Sequence, residues 1–207
     1  MQVNETWGAE IGHTPTEATR RAQIVTAAIE VIDEHGYAKA SFARIVERAG
    51  LSSTRMISYH FANRNDLMWA TALTVMESMD SYLGERLDTT GGRASMLGDY
   101  IRAEVGFLGA QPKQVRALVE ISAQARERPD SPIIEAVWRD LRTGRLERQL
   151  TQGQREGAFG EFDIRVMAMA IRQSIDGVAL RLAGEPDLDV DDYGAQIADL
   201  FLRATAA

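Results

Sequence analysis

Residues 41–61 constrain the fold most, because they hold two apolar stretches, each too short to stand alone, separated by Gly50. In the first, Phe42, Ile45, Val46 and Ala49 recur at i, i+3, i+4 and i+7, which draws one apolar stripe down one side of a helix. Ser41 stands before it, where a side-chain oxygen can accept from the orphan amides of a first turn. In the second, Met56, Ile57, His60 and Phe61 follow Ser52, Ser53 and Thr54, and either of the two serines can cap that helix. Two short helices joined by a glycine turn cannot bury both stripes against each other, so a third wall is required. The preceding segment supplies it. It starts near Pro15 behind the capping candidate Thr14, carries Glu17 at the third helical position, and places Ile24, Ala28, Val31 and Ile32 at helical spacing. Gly36 ends it, since glycine takes up the left-handed conformation of a helix C-cap.

Asn63 caps a fourth helix with Asp66 near its positive end, and Leu67, Ala70, Leu73, Met76, Met79 and Leu83 keep the helical period. Further breaks fall at Thr89–Gly92, Gly109–Pro112, Pro129–Pro132, Gly153–Gly160 and Gly184–Asp192. No segment alternates as a strand does. The prediction is an all-α chain of about nine helices: an N-terminal three-helix bundle with a helix-turn-helix, then a C-terminal helical bundle.

With 45% hydrophobic and 26% charged residues, the chain reads as a globular domain. It has no cysteine, which excludes disulfides, thiol catalysis and thiolate metal sites. Residues 1–14 lack the basic start and apolar run of a signal peptide and are expected to form a mobile tail. No apolar run is long enough to span a bilayer, so the expected location is the cytoplasm.

The net charge is −7, yet residues 36–65 carry Lys39, Arg44, Arg48, Arg55 and Arg64 against the single acid Glu47, a local excess of +4. Such a patch can face phosphate while the rest of the surface stays acidic. In a helix-turn-helix the second short helix enters the major groove and its N-terminal residues meet base edges. Here that face offers Ser53, Thr54, Arg55, Ser58 and Tyr59. Arginine can bind guanine bidentately, and hydroxyls reach base edges or backbone.

These residues resemble the N-terminal domain of the tetracycline-repressor-like (TetR) family. The resemblance runs through Gly36-Tyr37, Ala40-Ser41-Phe42, Ile45-Val46, Arg48-Ala49-Gly50-Leu51-Ser52, Ile57-Ser58-Tyr59-His60-Phe61 and Arg64-Asn65-Asp66-Leu67. Three departures stand out. One extra residue lies between Gly50 and Phe61, which leaves the cap open among Ser52, Ser53 and Thr54. Ser58 occupies the family's tyrosine position, with Tyr59 one place later, and Arg64 replaces a lysine. The resemblance implies a DNA-binding domain over residues 15–67 and a ligand-binding and dimerisation domain over 68–207. It implies backbone phosphate contacts for Ser41, Arg44 and Arg64. The groove-facing surface would then comprise Ser53, Thr54, Arg55, Ser58, Tyr59 and His60.

Residues 68–207 hold 22 acids against 16 bases, a surface unsuited to DNA. The resemblance implies a small-molecule cavity there, for which Trp69, Met76, Met79, Tyr100, Phe107, Trp138 and Met167 are the candidate lining, although such side chains equally make plain core. Val166, Ala170, Ser174, Gly177 and Val178 mix small and branched residues on one helix, and Ile197, Leu200 and Phe201 form a second stripe. In the family such helices pair across a homodimer, which would match a palindromic operator of double-stranded DNA. No cofactor and no metal are expected: the three histidines are scattered. The run Asp187, Asp189, Asp191 and Asp192 lacks a calcium loop's glycine and terminal glutamate. It suits the positive start of the last helix. No catalytic constellation is present, so an enzyme is not expected. The function expected is a ligand-responsive transcriptional repressor. The alternative is a helical protein-interaction scaffold without DNA binding.

Overall fold

The computed structural model describes residues 15–88, 90–127, 140–185 and 187–207. Thr14, Trp138 and the expected tail lie outside them. The described residues form nine α-helices and no strand: α1 (Pro15–His35), α2 (Phe42–Arg48), α3 (Arg55–His60), α4 (Arg64–Gly84), α5 (Arg93–Ala110), α6 (Pro112–Glu127), α7 (Arg145–Arg155), α8 (Ile164–Gly184) and α9 (Val190–Thr205). A 3₁₀ turn, Tyr37–Lys39, precedes α2, and one wide π-type turn, Asp140–Gly144, precedes α7. The expected all-α architecture holds. Among the described residues no helix is long and apolar enough to cross a membrane.

The chain divides into two compact units. The first comprises residues 15–76 with Arg116–Ser122; the second comprises residues 77–115 and 123–207. Where the sequence suggests a division after residue 67, the first unit keeps two further turns of α4. Met68, Thr71, Ala72 and Val75 are buried, so their helix face belongs to a core rather than to a linker.

In the first unit α1 presents Ile24, Val25, Ala28, Val31 and Ile32 to the interior, where Ala40, Ile45, Ile57, Phe61 and Leu67 are also buried. The stripe expected on α2 is graded: Ile45 and Ala49 are buried, Phe42 and Val46 half-buried. Arg116 pairs with Asp33, and the Glu120 carboxylate accepts from the Tyr37 amide at 3.2 Å, fixing this stretch of α6 on the end of α1.

In the second unit α5 and α9 pack at close range. A Cβ on Gly109 would come within 2.7 Å of Val190 Cγ2, so only a glycine allows that approach. Leu97, Ile101, Val105, Leu146, Leu150, Ile171, Ile175 and Ala198 are buried. Asp163 and Asp189 cap α8 and α9, each accepting from the amide three residues on, at 2.9 and 3.0 Å. The reading of the C-terminal aspartates as helix-start residues therefore holds for Asp189, Asp191 and Asp192.

Candidate nucleic-acid interface

The helix-turn-helix is shaped by its caps. Ser41 has extended backbone and its hydroxyl accepts from the Arg44 amide at 3.4 Å, which starts α2. α2 ends on Gly50 at φ +64°, the left-handed region that favours glycine. The Leu51 amide then donates to Val46 O at 3.0 Å and the Gly50 amide to Glu47 O at 3.2 Å, closing a Schellman motif. This fixes the angle at which the chain leaves α2. The open choice of cap for α3 resolves to Thr54, whose carbonyl accepts from the amides of Ile57 and Ser58 while its side chain makes no capping bond. α3 therefore starts at Arg55, after a non-helical stretch over residues 49–54. Asn63 caps α4 as expected, its Oδ1 accepting from the Asp66 amide at 3.0 Å, while Asp66 Oδ2 accepts from the Ala62 amide at 2.9 Å.

α3 is oriented by polar side chains of α1. Arg21 Nη1 donates to His60 O at 2.6 Å and its guanidinium lies 4.2 Å from the Phe61 ring centroid. Gln23 Nε2 donates to Ala49 O at 2.6 Å, satisfying a carbonyl at the end of α2. Tyr59 Oη donates to Glu17 Oε1 at 3.1 Å. That bond and the Glu17 charge raise the Tyr59 phenol above its ordinary pKa. These pairs lie 26 to 42 residues apart, so no local pattern in the sequence shows them.

With Ile57 and Phe61 buried, the remaining face of α3 points outward. Ser53, Thr54, Arg55, Ser58 and Tyr59 are exposed, Tyr59 at 73%, and His60 is half-buried with its ring edge-on to Tyr59 at 5.0 Å. Ser58 Oγ donates back to Thr54 O at 3.3 Å. Ser53, Arg55, Met56, Tyr59 and His60 line an open surface concavity.

The five cations of the basic stretch separate by role. Lys39, Arg44 and Arg55 are exposed. Arg48 turns back to α1, pairing with Glu34 at 2.7 Å and with Glu30 at 3.2 Å. Arg64 is directed at the protein's own backbone: its Nε donates to Ala40 O at 3.0 Å, its Nη2 to Tyr37 O, and its guanidinium lies 4.1 Å from the Tyr37 ring centroid. A guanidinium so held braces the turn before α2.

The expected cavity residues fall in different places. Trp69 and Met76 lie in the first unit; Met79, Tyr100, Phe107 and Met167 lie in the second. Tyr100 and Phe107 are buried, and Phe107 meets Tyr82 edge-on at 5.5 Å. A chain of charge that the sequence did not disclose crosses this interior. Tyr100 Oη donates to Glu104, Arg172 Nη2 donates to Glu104 Oε2 at 2.5 Å, and Asp176 accepts from Arg142 at 2.6 Å. Glu104 and Arg172 are almost fully buried. Burial pushes the Tyr100 phenol well above its ordinary range, helped by the Glu104 charge. Burial alone would lower Arg172, but the Glu104 charge and its hydrogen bond outweigh it and hold the guanidinium protonated.

On α8 and α9, Val166, Gly177 and Leu200 are exposed, and Ala170, Ser174 and Ile197 are half-buried. Val178 and Phe201 face inward and are buried, at 4% and 7% exposure. The outward stripe instead includes Met169 and Leu180, exposed at 54% and 68%.

Residues 24–71 match the family model for bacterial regulatory proteins of the tetR family. The HTH-type transcriptional regulator BetI of Ectopseudomonas mendocina is 36% identical over 80 residues, 37% of this chain and 40% of that protein. BetI of Pseudomonas aeruginosa is 33% identical over 86 residues, 42% of this chain and 40% of the relative. The chain thus matches about two fifths of the length of these relatives. The solved structure of a tetR-family regulatory protein from Rhodococcus is similar at a TM-score of 0.75 and 22% identity, covering 91% of this chain and 97% of that one. The fatty acid degradation regulator FadR from Bacillus halodurans is similar at 0.73 and 21%, covering 92% and 96%. At these identities the likeness is one of fold.

Proposed function

The chain belongs to the tetR family of bacterial transcriptional regulators and carries its helix-turn-helix DNA-binding domain, and from that premise we propose that it is a ligand-responsive repressor acting as a homodimer on a palindromic operator. One observation carries the DNA-binding part: α3 buries Ile57 on one side and offers Arg55, Ser58 and Tyr59 to solvent on the other. A helix so anchored can lie in the major groove without disturbing its own core. Arg55 is the base-reading residue in this account, with Ser53, Thr54 and Ser58 beside it. Arg44 and Tyr59 contact backbone phosphate, as does Ser41 through whatever capacity its capping bond leaves.

The exposed stripe of Val166, Met169, Gly177 and Leu180 on α8, with Leu200 on α9, supports the homodimer. Large apolar side chains this exposed are costly in a monomer and are removed from water by a two-fold mate. The buried aromatic and polar interior around Tyr100, Phe107 and Glu104 supports the small-molecule site, with Met79 and Met167 partly exposed in the same unit. Effector binding would favour a conformer whose two recognition helices no longer match successive major grooves.

The test is binding to a duplex selected by the wild-type protein from a randomised pool. Arg55→Ala is expected to weaken binding about 5- to 100-fold and to relax selectivity at one base position. Wild-type affinity for both Arg55→Ala and Tyr59→Phe would refute the assignment of α3.

A further inference from the structure

We propose that Glu17 is a gate on the recognition helix: it holds the Tyr59 hydroxyl in the unbound protein and yields it to a DNA phosphate on binding. This rests on the reading of α3 as the DNA-contacting helix. Nothing in the helix-turn-helix pattern draws in Glu17, which lies in the first turn of α1, 42 residues before Tyr59.

The argument begins with a proton count. A phenol has a single proton to donate. Tyr59 is 73% exposed, yet its hydroxyl proton is directed to Glu17 Oε1 at 3.1 Å. A phosphate oxygen reaching the same hydroxyl as acceptor must take the place of the carboxylate. The two groups are both anions, so the phosphate also meets repulsion at short range.

Charge makes that competition matter. Of the five cations in residues 36–65, Arg48 is paired with Glu30 and Glu34, and Arg64 is turned onto the carbonyls of Tyr37 and Ala40. Arg48 is exposed but spent on those two carboxylates, and Lys39, Arg44 and Arg55 are the other exposed cations. A carboxylate bonded to the exposed tyrosine of α3 is therefore a sizeable fraction of the charge available to DNA. A phosphate contact carries no base information, so the penalty acts on every duplex alike. Glu17 thus holds down affinity for bulk and operator DNA together, which keeps the protein releasable.

The test measures affinity over a salt series, for the selected duplex and for a scrambled duplex of equal length. Glu17→Gln keeps an acceptor for Tyr59 but removes the charge; Glu17→Ala removes both. Both are expected to bind the two duplexes about three- to tenfold more tightly than wild type, with a steeper fall of affinity with salt. The gain is expected to shrink in the Tyr59→Phe background, where no proton is contested. Thermal melting of each variant checks that the fold is intact.

Unchanged or weaker binding by folded Glu17→Gln and Glu17→Ala, while Arg55→Ala and Tyr59→Phe lose affinity, would overturn the gate and leave the role of α3 standing. A gain of the same size with and without Tyr59 would overturn the shared proton. If Arg55→Ala and Tyr59→Phe bind as wild type does, the reading of α3 itself fails.

Discussion

The two compact units use their polar side chains in opposite ways. In the first, polar groups sit at helix ends and tether backbone: Ser41 and Asn63 cap, Arg21, Gln23 and Arg64 hold carbonyls. The first unit's interior is otherwise apolar apart from Thr71, Ser122 and partly buried ends. In the second, Glu104 and Arg172 meet in the interior, while large apolar side chains lie outside on α8 and α9. An apolar core with polar tethers fixes one shape, which suits a helix that must fit a groove. A charged interior beneath an exposed apolar face is a poor way to make a stable monomer.

The contrast is most open to attack at Arg172. Arg172→Met leaves Glu104 buried and uncompensated, and is expected to cost about 3–5 kcal/mol in chemical or thermal unfolding. Pairing it with Glu104→Leu is expected to recover at least half of the loss, since the two charges then disappear together. If the single change costs no more than a surface substitution, the second unit's interior is wetter than its burial implies.

Packing gives the next largest effect. A Cβ on Gly153 would lie 2.1 Å from the Phe159 ring, so Gly153→Ala forces that buried ring to move and is expected to destabilise by about 1–3 kcal/mol. Caps come next, and they are where the two units should agree. Ser41→Ala and Asp163→Ala each remove a side-chain acceptor at a helix start, and each is expected to cost roughly 0.5–2 kcal/mol. Ser41→Ala should fall at the low end, because its bond is the longer one. It should also weaken DNA binding, whereas Asp163→Ala should leave affinity for the selected duplex unchanged.

The smallest effect is a pH response confined to the second unit. Hydrogen bonds from Arg93, then Gln152, hold the Glu156 carboxyl down at about 2, against 4.5 ordinarily. A carboxylate whose pKa is depressed by folding stabilises above its unfolded pKa, and that contribution is lost as pH falls through the folded value. Glu156→Gln is therefore expected to flatten the acid limb of the stability profile between pH 4.5 and 2 and to leave neutral pH almost untouched. An unchanged acid limb would show the Arg93 pair to be without thermodynamic weight.

The same contrast explains what could be read from the sequence. Caps and stops are local, so Ser41, Gly50, Asn63 and the stripe through Ile45 were legible as spacing. The partners of Arg64 and Arg48 lie 24 and 14 residues away, so no short window shows that one cation is held by backbone carbonyls and the other by carboxylates of α1. Glu104 and Arg172 are 68 residues apart, and each alone looks like a charge on a solvated helix face. The apolar pattern of α8 and α9 was legible as amphipathic helix, but small residues line both faces of α8, so spacing alone did not separate the buried Val178 and Phe201 from the exposed Met169 and Leu180.

The central claim is that α3 enters the major groove of operator DNA from each half of a dimer. Hydroxyl-radical and methylation footprints on the selected duplex test it most directly. The account predicts two protected major-groove windows related by two-fold symmetry, about 10 base pairs or a multiple apart, with guanine N7 protection that disappears in Arg55→Ala. Uniform protection without windows, or windows that persist unchanged in Arg55→Ala, would contradict it.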